Sequence, residues 1–103
     1  MKTGKELVAK ERKRVLEKEG WTRRHDDCHS KGELLQAALC YLGAYPKSFL
    51  PKNWPWRIED WKPKDRLSNL VRGGQLIQAE RERLARLQRV VYKTIDWHLK
   101  NHD

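Results

Sequence analysis

Apolar residues recur at helical spacing in three stretches of the chain, and a stretch rich in proline and tryptophan separates the second from the third. Across residues 3–19, Leu7, Val8, Val15 and Leu16 form a thin stripe, with Glu11 on it, among Lys and Arg that alternate with Glu. This pattern predicts a weakly amphipathic helix, either docked lightly on the rest or partly frayed, and stopped at Gly20. Its basic residues Lys10, Arg12, Lys13 and Arg14 form a face able to touch phosphates, or one that is simply solvated. Residues 31 to about 43 carry Leu34, Leu35, Ala37, Ala38, Leu39, Cys40, Tyr41 and Leu42 and have almost no polar face. A helix apolar all round belongs in the middle of a bundle, so this segment is the expected core helix. In the third stretch Leu67, Leu70, Val71, Ile77, Leu84, Leu87, Val91 and Ile95 keep a period near 3.6. They predict a long helix, capped by Asp65 or Ser68 and running to about Lys100.

Gly73-Gly74 interrupts that helix at a cost of about 1 kcal/mol per glycine relative to alanine. The pair marks a kink, a close helix crossing or backbone approached by a ligand. Past Leu84 the helix is long for so small a domain, and it is expected to project and pair with another subunit in a homo-oligomer.

Residues 44–64 hold Pro46, Pro51, Pro55 and Pro63 interleaved with Phe49, Trp54, Trp56 and Trp61. Proline at that density excludes regular helix or central strand, while the aromatics argue for order, with one short helical turn around residues 57–61. The expected architecture is therefore all-α: a small bundle of about three helices with a long, ordered Trp/Pro loop and a long C-terminal helix. It is one domain over residues 1–103, divided into a basic N-terminal helix (1–19), a polar segment and core helix (20–43), the loop (44–64) and the long helix (65–100).

Composition narrows the picture modestly. Charged residues make up 36% of the chain and the net charge is +9, which favours anionic partners: phosphorylated small molecules, nucleic acid or an acidic protein surface. Cys28 and Cys40 form no CxxC signature, so neither a zinc finger nor a structural disulfide is expected. No apolar run approaches the length of a membrane span and no secretory leader is evident, so a cytoplasmic location without membrane contact is expected.

The densest chemistry lies at His25-Asp26-Asp27-Cys28-His29, which with Glu33 puts two imidazoles and three carboxylates into nine residues. Thr22 or Asp26 can cap a short helical turn there. If the segment is helical, His25 and His29 share a face at i and i+4, and Glu33 extends the stripe, a set that suits a divalent metal. Ser30 with Glu33 matches the S-x-x-E capping box, however, which would engage that carboxylate on backbone. Hence no metal and no cofactor is expected; if one binds, His25, His29 and Glu33 are its ligands. A magnesium-dependent nucleotide hydrolase needs spaced acidic pairs on two helices. Here Glu80 and Glu82 fall on different faces. A nucleophilic Cys28 lacks any identifiable base or oxyanion hole. No catalytic residue is assigned. Structurally, His25, Asp26 and Asp27 could instead brace the fold, with Arg66 or Arg72 as ion-pair partners.

The order Gly20-Trp21-Thr22-x-x-His25-Asp26-Asp27-x-His29-x-x-Gly32-Glu33-Leu34, then Trp54-Pro55-Trp56, Trp61-Lys62-Pro63, and Asn69-Leu70-Val71 before Leu76-Ile77-x-Ala79-Glu80, resembles a group of short proteins encoded by tailed phages and prophages. The likeness covers residues 20–83 and implies a phage origin and the cytoplasm of the host cell; the group carries no settled activity. Gly73-Gly74 stands where the pattern commonly has alanine, and the tail beyond Arg83 is less typical of it.

Combined, these features suggest a binding protein. Trp54, Trp56 and Trp61 offer faces on which a base can stack, and Lys62, Lys64, Arg66 and Arg72 gather near a helix start that attracts phosphate. His25, Asp26, Asp27 and His29 would read base edges or ribose hydroxyls. The expected ligand is an anionic, nucleotide-like small molecule; with the phage resemblance, the expected use is to sequester a nucleotide signal of host defence. The alternatives are an interaction protein, or inhibitor, that binds nucleic acid or a host protein through its basic surface, and a metal-dependent nucleotide hydrolase.

Overall fold

The computed structural model describes residues 3–19, 21–43, 45 and 49–101. It is all-α, with helices α1 (Gly4–Lys18), α2 (Arg23–Asp27), α3 (Glu33–Leu42) and α4 (Arg66–Asn101), plus a single 3-10 turn over Ile58–Asp60. Among the described residues there is no strand, and no helix is long and apolar enough to cross a membrane. The expected stop at Gly20 and the proline at Pro46 lie outside the described residues.

Local chemistry sets the helix starts. The Thr3 hydroxyl accepts from the Glu6 N–H and opens α1, and the Thr22 hydroxyl accepts from the His25 N–H and opens α2. Asp65, of the two candidates, caps α4: its carboxylate accepts from the Ser68 N–H at 3.2 Å and from the Ser68 hydroxyl at 2.6 Å. The capping box expected at Ser30 does not form. Gly32 occupies the N-cap position with φ of 83° and no side-chain cap, a left-handed conformation that glycine adopts without steric cost. Glu33 instead accepts from the Lys31 N–H, not from that of Ser30 as the capping box requires. The helix accordingly begins two residues later than the sequence suggested.

The centre of the bundle is α4, and α1, α2 and α3 each pack on it. This corrects the expectation that α3 lies in the middle. Leu34, Ala37, Ala38 and Tyr41 of α3 meet Leu76 and Ala79 of α4 in the core, but Leu35 and Leu39 on the opposite face are 46% and 52% exposed. Among the described residues no second layer covers them, because α1 docks on α4 rather than on α3.

Gly73-Gly74 is what allows the approach. A Cβ at Gly73 would lie 2.8 Å from Leu42 side-chain atoms and 3.2 Å from the Ala38 carbonyl oxygen, and one at Gly74 would lie 2.7 Å from Val8 Cγ2. The pair is thus a close crossing point for α3 and α1 on adjoining faces of one unbroken helix, and neither a kink nor a ligand contact is needed to explain it.

The Trp/Pro segment is ordered over its described residues and closes the core from the side. Trp54, Trp56 and Trp61 pack against the α3–α4 cluster. The Trp54 indole N–H donates to the Arg57 carbonyl at 2.9 Å, and that of Trp61 donates to the Phe49 carbonyl at 3.0 Å. The expected short turn appears as the 3-10 turn at Ile58–Asp60. Both cysteines are free, Cys28 exposed and Cys40 buried.

With 36 residues, α4 spans about 54 Å at 1.5 Å per residue and so sets the 60 Å long axis of the molecule. Its second half leaves the body: Leu84, Leu87, Val91, Ile95 and Trp97 are all exposed.

Gly73→Ala is expected to be net destabilising in urea unfolding. Overpacking against Leu42 and the Ala38 carbonyl costs about 1–3 kcal/mol and outweighs the helix-propensity gain of about 1 kcal/mol. A neutral or stabilising result would show that α3 is not held at this crossing.

Candidate functional site

The polar segment is organised from beneath by a residue that sequence placed on the surface. Arg12 sits on the α1 stripe, four positions after Val8 and three before Val15, and is 6% exposed rather than part of a solvated basic face. Its guanidinium donates to Asp26 Oδ2 at 2.9 Å, to Gln75 Oε1 at 2.8 Å and to Glu82 Oε1 at 2.9 Å. One side chain therefore ties α1 to α2 and α4. Asp26 is 3% exposed and its carboxylate is engaged by that guanidinium, so it braces the fold instead of reading a ligand.

Asp27 is similarly employed. Arg86 on α4 donates to it at 2.7 Å from Nη2 and 3.1 Å from Nε, and also to the Arg23 carbonyl. The partners expected for these carboxylates, Arg66 and Arg72, are elsewhere. Arg66 donates to the Leu42 and Gly43 carbonyls at 2.7 and 3.1 Å and closes the end of α3. Arg72 lies over the Tyr41 ring at 5.5 Å and 3.5 Å from both Glu11 and Glu19.

His25 and His29 do share a face. Their Nε2 atoms are 3.2 Å apart, and His29 Nδ1 is 3.4 Å from Glu33 Oε2. The Trp21 ring packs edge-on to His25, and Trp56 packs against His29, with ring centroids 4.8 and 5.0 Å apart. Cys28 points away, its thiol donating to the Arg24 carbonyl. Among the described residues, no group of three or more His, Cys, Asp or Glu side chains is placed to hold a metal ion.

Two concavities adjoin these residues. A small cavity of about 60 Å³ is lined by Trp21, His29, Tyr41, Trp54, Trp56 and Arg12, among others. The Trp56 indole N–H is buried there with no acceptor among the described residues. Ligand pockets for drug-sized molecules run to about 300–1,000 Å³, so this cavity is too small for a nucleotide. The base-stacking platform expected of Trp54, Trp56 and Trp61 is instead part of the core wall.

The second concavity is a groove of about 520 Å³ between α1 and the start of α4. Lys10, Lys13 and Lys18 line it from one side and Lys62 and Lys64 from the other, with Leu7, Leu67 and Val71 as apolar floor. Glu11, Glu17, Arg14 and Arg72 also contribute to the wall. Arg14 is bound to Glu11 at 2.6 Å and to Glu19 at 2.8 Å. The hydrogen bond from Arg14 holds the Glu11 carboxyl below its usual range. Partial burial raises Glu19, but Arg14 and Arg72 more than offset it and leave this carboxyl lowered as well. The arginines and glutamates thus neutralise one another. Among the described residues no lysine takes part in an ion pair.

Of the residues expected to form one pocket, the structure brings Asp26, His29, Trp54, Trp56 and Arg72 to the small cavity and Lys62, Lys64 and Arg72 to the groove. His25 and Asp27 are exposed at the rim of α2, Arg66 is a helix cap, and Trp61 is a core plug. Sequence reasoning missed Arg12 as a buried connector, although its register between Val8 and Val15 carried the signal. It also missed Arg86 and Gln75, which no local pattern marks.

No protein-family model, curated protein or solved structure matches the chain.

Arg12→Met is expected to cost about 3–5 kcal/mol in chemical denaturation, because it leaves the Asp26 carboxylate buried without its counter-charge. The double variant Arg12→Met/Asp26→Leu should recover most of that loss. A single variant as stable as the wild-type chain would remove Arg12 from this role.

Proposed function

We propose that the chain is a binding protein for a phosphate-bearing, nucleotide-like anion, held in the lysine-lined groove between α1 and the start of α4. The observation that carries this reading is the division of labour among cations. The arginines nearest the core and the groove, Arg12, Arg14, Arg66, Arg72, Arg83 and Arg86, are taken up by carboxylates and carbonyls, while five lysines, Lys10, Lys13, Lys18, Lys62 and Lys64, converge on one groove. Lysine is a mobile point charge suited to phosphate, and the groove volume falls within the range of small-molecule sites. The apolar floor of Leu7, Leu67 and Val71 offers a surface for the base in place of the tryptophans, which pack against the core. The resemblance to tailed-phage proteins supports a use in sequestering a nucleotide signal of host defence. Without spaced acidic pairs, the residues give no support to hydrolysis.

Nucleic acid, or an acidic host protein, is the second reading of the same groove, favoured by its openness and by the net charge of +9. Calorimetry with cyclic di- and trinucleotides, ADP-ribose derivatives, nucleoside triphosphates and a single-stranded oligonucleotide separates the two. A small-molecule site gives saturable binding that Lys62→Gln/Lys64→Gln weakens at least about tenfold, a lost hydrogen bond to a charged group costing about 1.5–3 kcal/mol. Nucleic-acid binding instead falls steeply with salt, its slope scaling with the number of phosphates neutralised. Binding of no class of ligand would sink both.

The projecting half of α4 supports an oligomer. Leu84, Leu87, Val91 and Ile95 repeat at steps of three and four and remain exposed, a seam that a second copy of the same helix matches. Sedimentation should show a dimer that Leu87→Glu/Val91→Glu converts to a folded monomer. A wild-type monomer at high micromolar concentration would contradict this pairing.

A further inference from the structure

We propose that His25 and His29 form a two-imidazole site for a borderline divalent transition ion such as Zn²⁺ or Cu²⁺, with Glu33 as the carboxylate that orients His29. The site is separate from the lysine groove and stands or falls independently of it.

The argument starts from proton placement on His29. A carboxylate only accepts hydrogen bonds, so Glu33 Oε2, 3.4 Å from His29 Nδ1, favours the tautomer with the proton on Nδ1. That leaves a lone pair on His29 Nε2, facing His25 Nε2 at 3.2 Å. A carboxylate behind a ligating imidazole is the usual way in which a metal-binding histidine is fixed in tautomer and made more basic.

The spacing is also that of two donors on one ion. At a Zn–N bond of about 2.1 Å, donors 3.2 Å apart subtend about 100° at the metal, between the octahedral and tetrahedral angles. The ring centroids lie 4.8 Å apart with the planes at 81°.

The rings are held in place before any ion arrives. His25 is carried on α2, whose start is fixed by the Thr22 cap and whose Asp26 is tied to Arg12. Trp21 packs on one ring and Trp56 on the other. Such preorganisation lowers the entropic cost of binding. The Ser30 capping box would have denied Glu33 to this stripe, but the N-cap is Gly32. The Glu33 carboxylate therefore serves the Lys31 N–H through one oxygen and His29 through the other.

Because no third protein donor is placed within reach among the described residues, water completes the coordination. Imidazole donors select Cu²⁺, Zn²⁺ or Ni²⁺ over Mg²⁺ and Ca²⁺, which take oxygen ligands. His25 is exposed and His29 lines the tryptophan-walled cavity, so the ion is reachable from solvent.

The test is titration of the full chain with ZnCl₂ by calorimetry, and with CuCl₂ by electron paramagnetic resonance. The other two of the four histidines, His98 and His102, are replaced by glutamine in the background. Expected are one equivalent of Zn²⁺ bound and a Cu²⁺ spectrum split by two equivalent nitrogens. His25→Gln and His29→Gln should each abolish both, with helical content by circular dichroism unchanged. Glu33→Gln keeps an acceptor for the Lys31 N–H and should weaken Zn²⁺ about tenfold, the lower end for loss of an orienting carboxylate. If the His25→Gln variant binds Zn²⁺ as well as the parent, or the parent binds none, the imidazoles merely share a proton and the proposal fails.

Discussion

A guanidinium withdrawn from water at Arg12 is the constraint around which the rest of this small protein is arranged. Its charge is tolerated only because three elements bring acceptors to it: Asp26 from α2, and Gln75 and Glu82 from α4. A buried ion pair of this kind need not add stability over an apolar core, but removing one member strands the other. Its effect is therefore on position. With α1, α2 and α4 tied at one point, the five-residue α2, too short to persist as an isolated helix, is held in place with His25 on it and His29 just past its end. Glu82 reports the same linkage: partial burial raises its carboxyl, and Arg12, Gln78 and Arg23 offset this and leave it below the usual glutamate range.

That arrangement explains how a chain of net charge +9 distributes its cations. Arg12, Arg14, Arg72, Arg83 and Arg86 are engaged by carboxylates of the same chain, a task suited to a planar, multidentate donor. Five of the twelve lysines line the groove between α1 and the start of α4. The fold thus engages the arginines that lie between its helices and leaves lysines lining that groove.

The helices were legible because their signals are local. Thr22 and Asp65 act as caps, the periodic stretches become helices within a few residues, and proline with tryptophan gives an ordered, non-helical flap. What was not legible depends on which element sits in the middle. Leu35 and Leu39 read as core from composition but are exposed, because the glycine pair makes α4 the shared neighbour and leaves α3 one-sided. Arg12 read as surface from its charge, although its register with Val8 and Val15 put it on the buried stripe. Ser30 read as a cap from its spacing to Glu33, and lost to Gly32, whose left-handed conformation turns the chain into α3 directly. Trp54 and Trp56 read together as a ligand platform, although each alone reads as core; the choice required knowing that the α3–α4 cluster has an open side against which they pack, which a domain this small completes with aromatics.

The same economy bears on the free half of α4. Past Arg86, which is still tied to Asp27, α4 runs on with its apolar side exposed, and helices of that length are marginal in water when nothing covers their apolar side. Here the apolar side is Leu84, Leu87, Val91 and Ile95, flanked by Arg86, Arg89 and Lys93. Helical order without a covering surface would be costly to maintain, whereas a second copy supplies a matching stripe at no further sequence cost. A dimer joined through that stripe would carry two lysine grooves on one rigid axis, so a ligand or polymer with phosphates at both ends could engage both. Effective concentration would then raise its affinity above that of either groove alone, and the projecting helix would contribute to capture without touching the ligand.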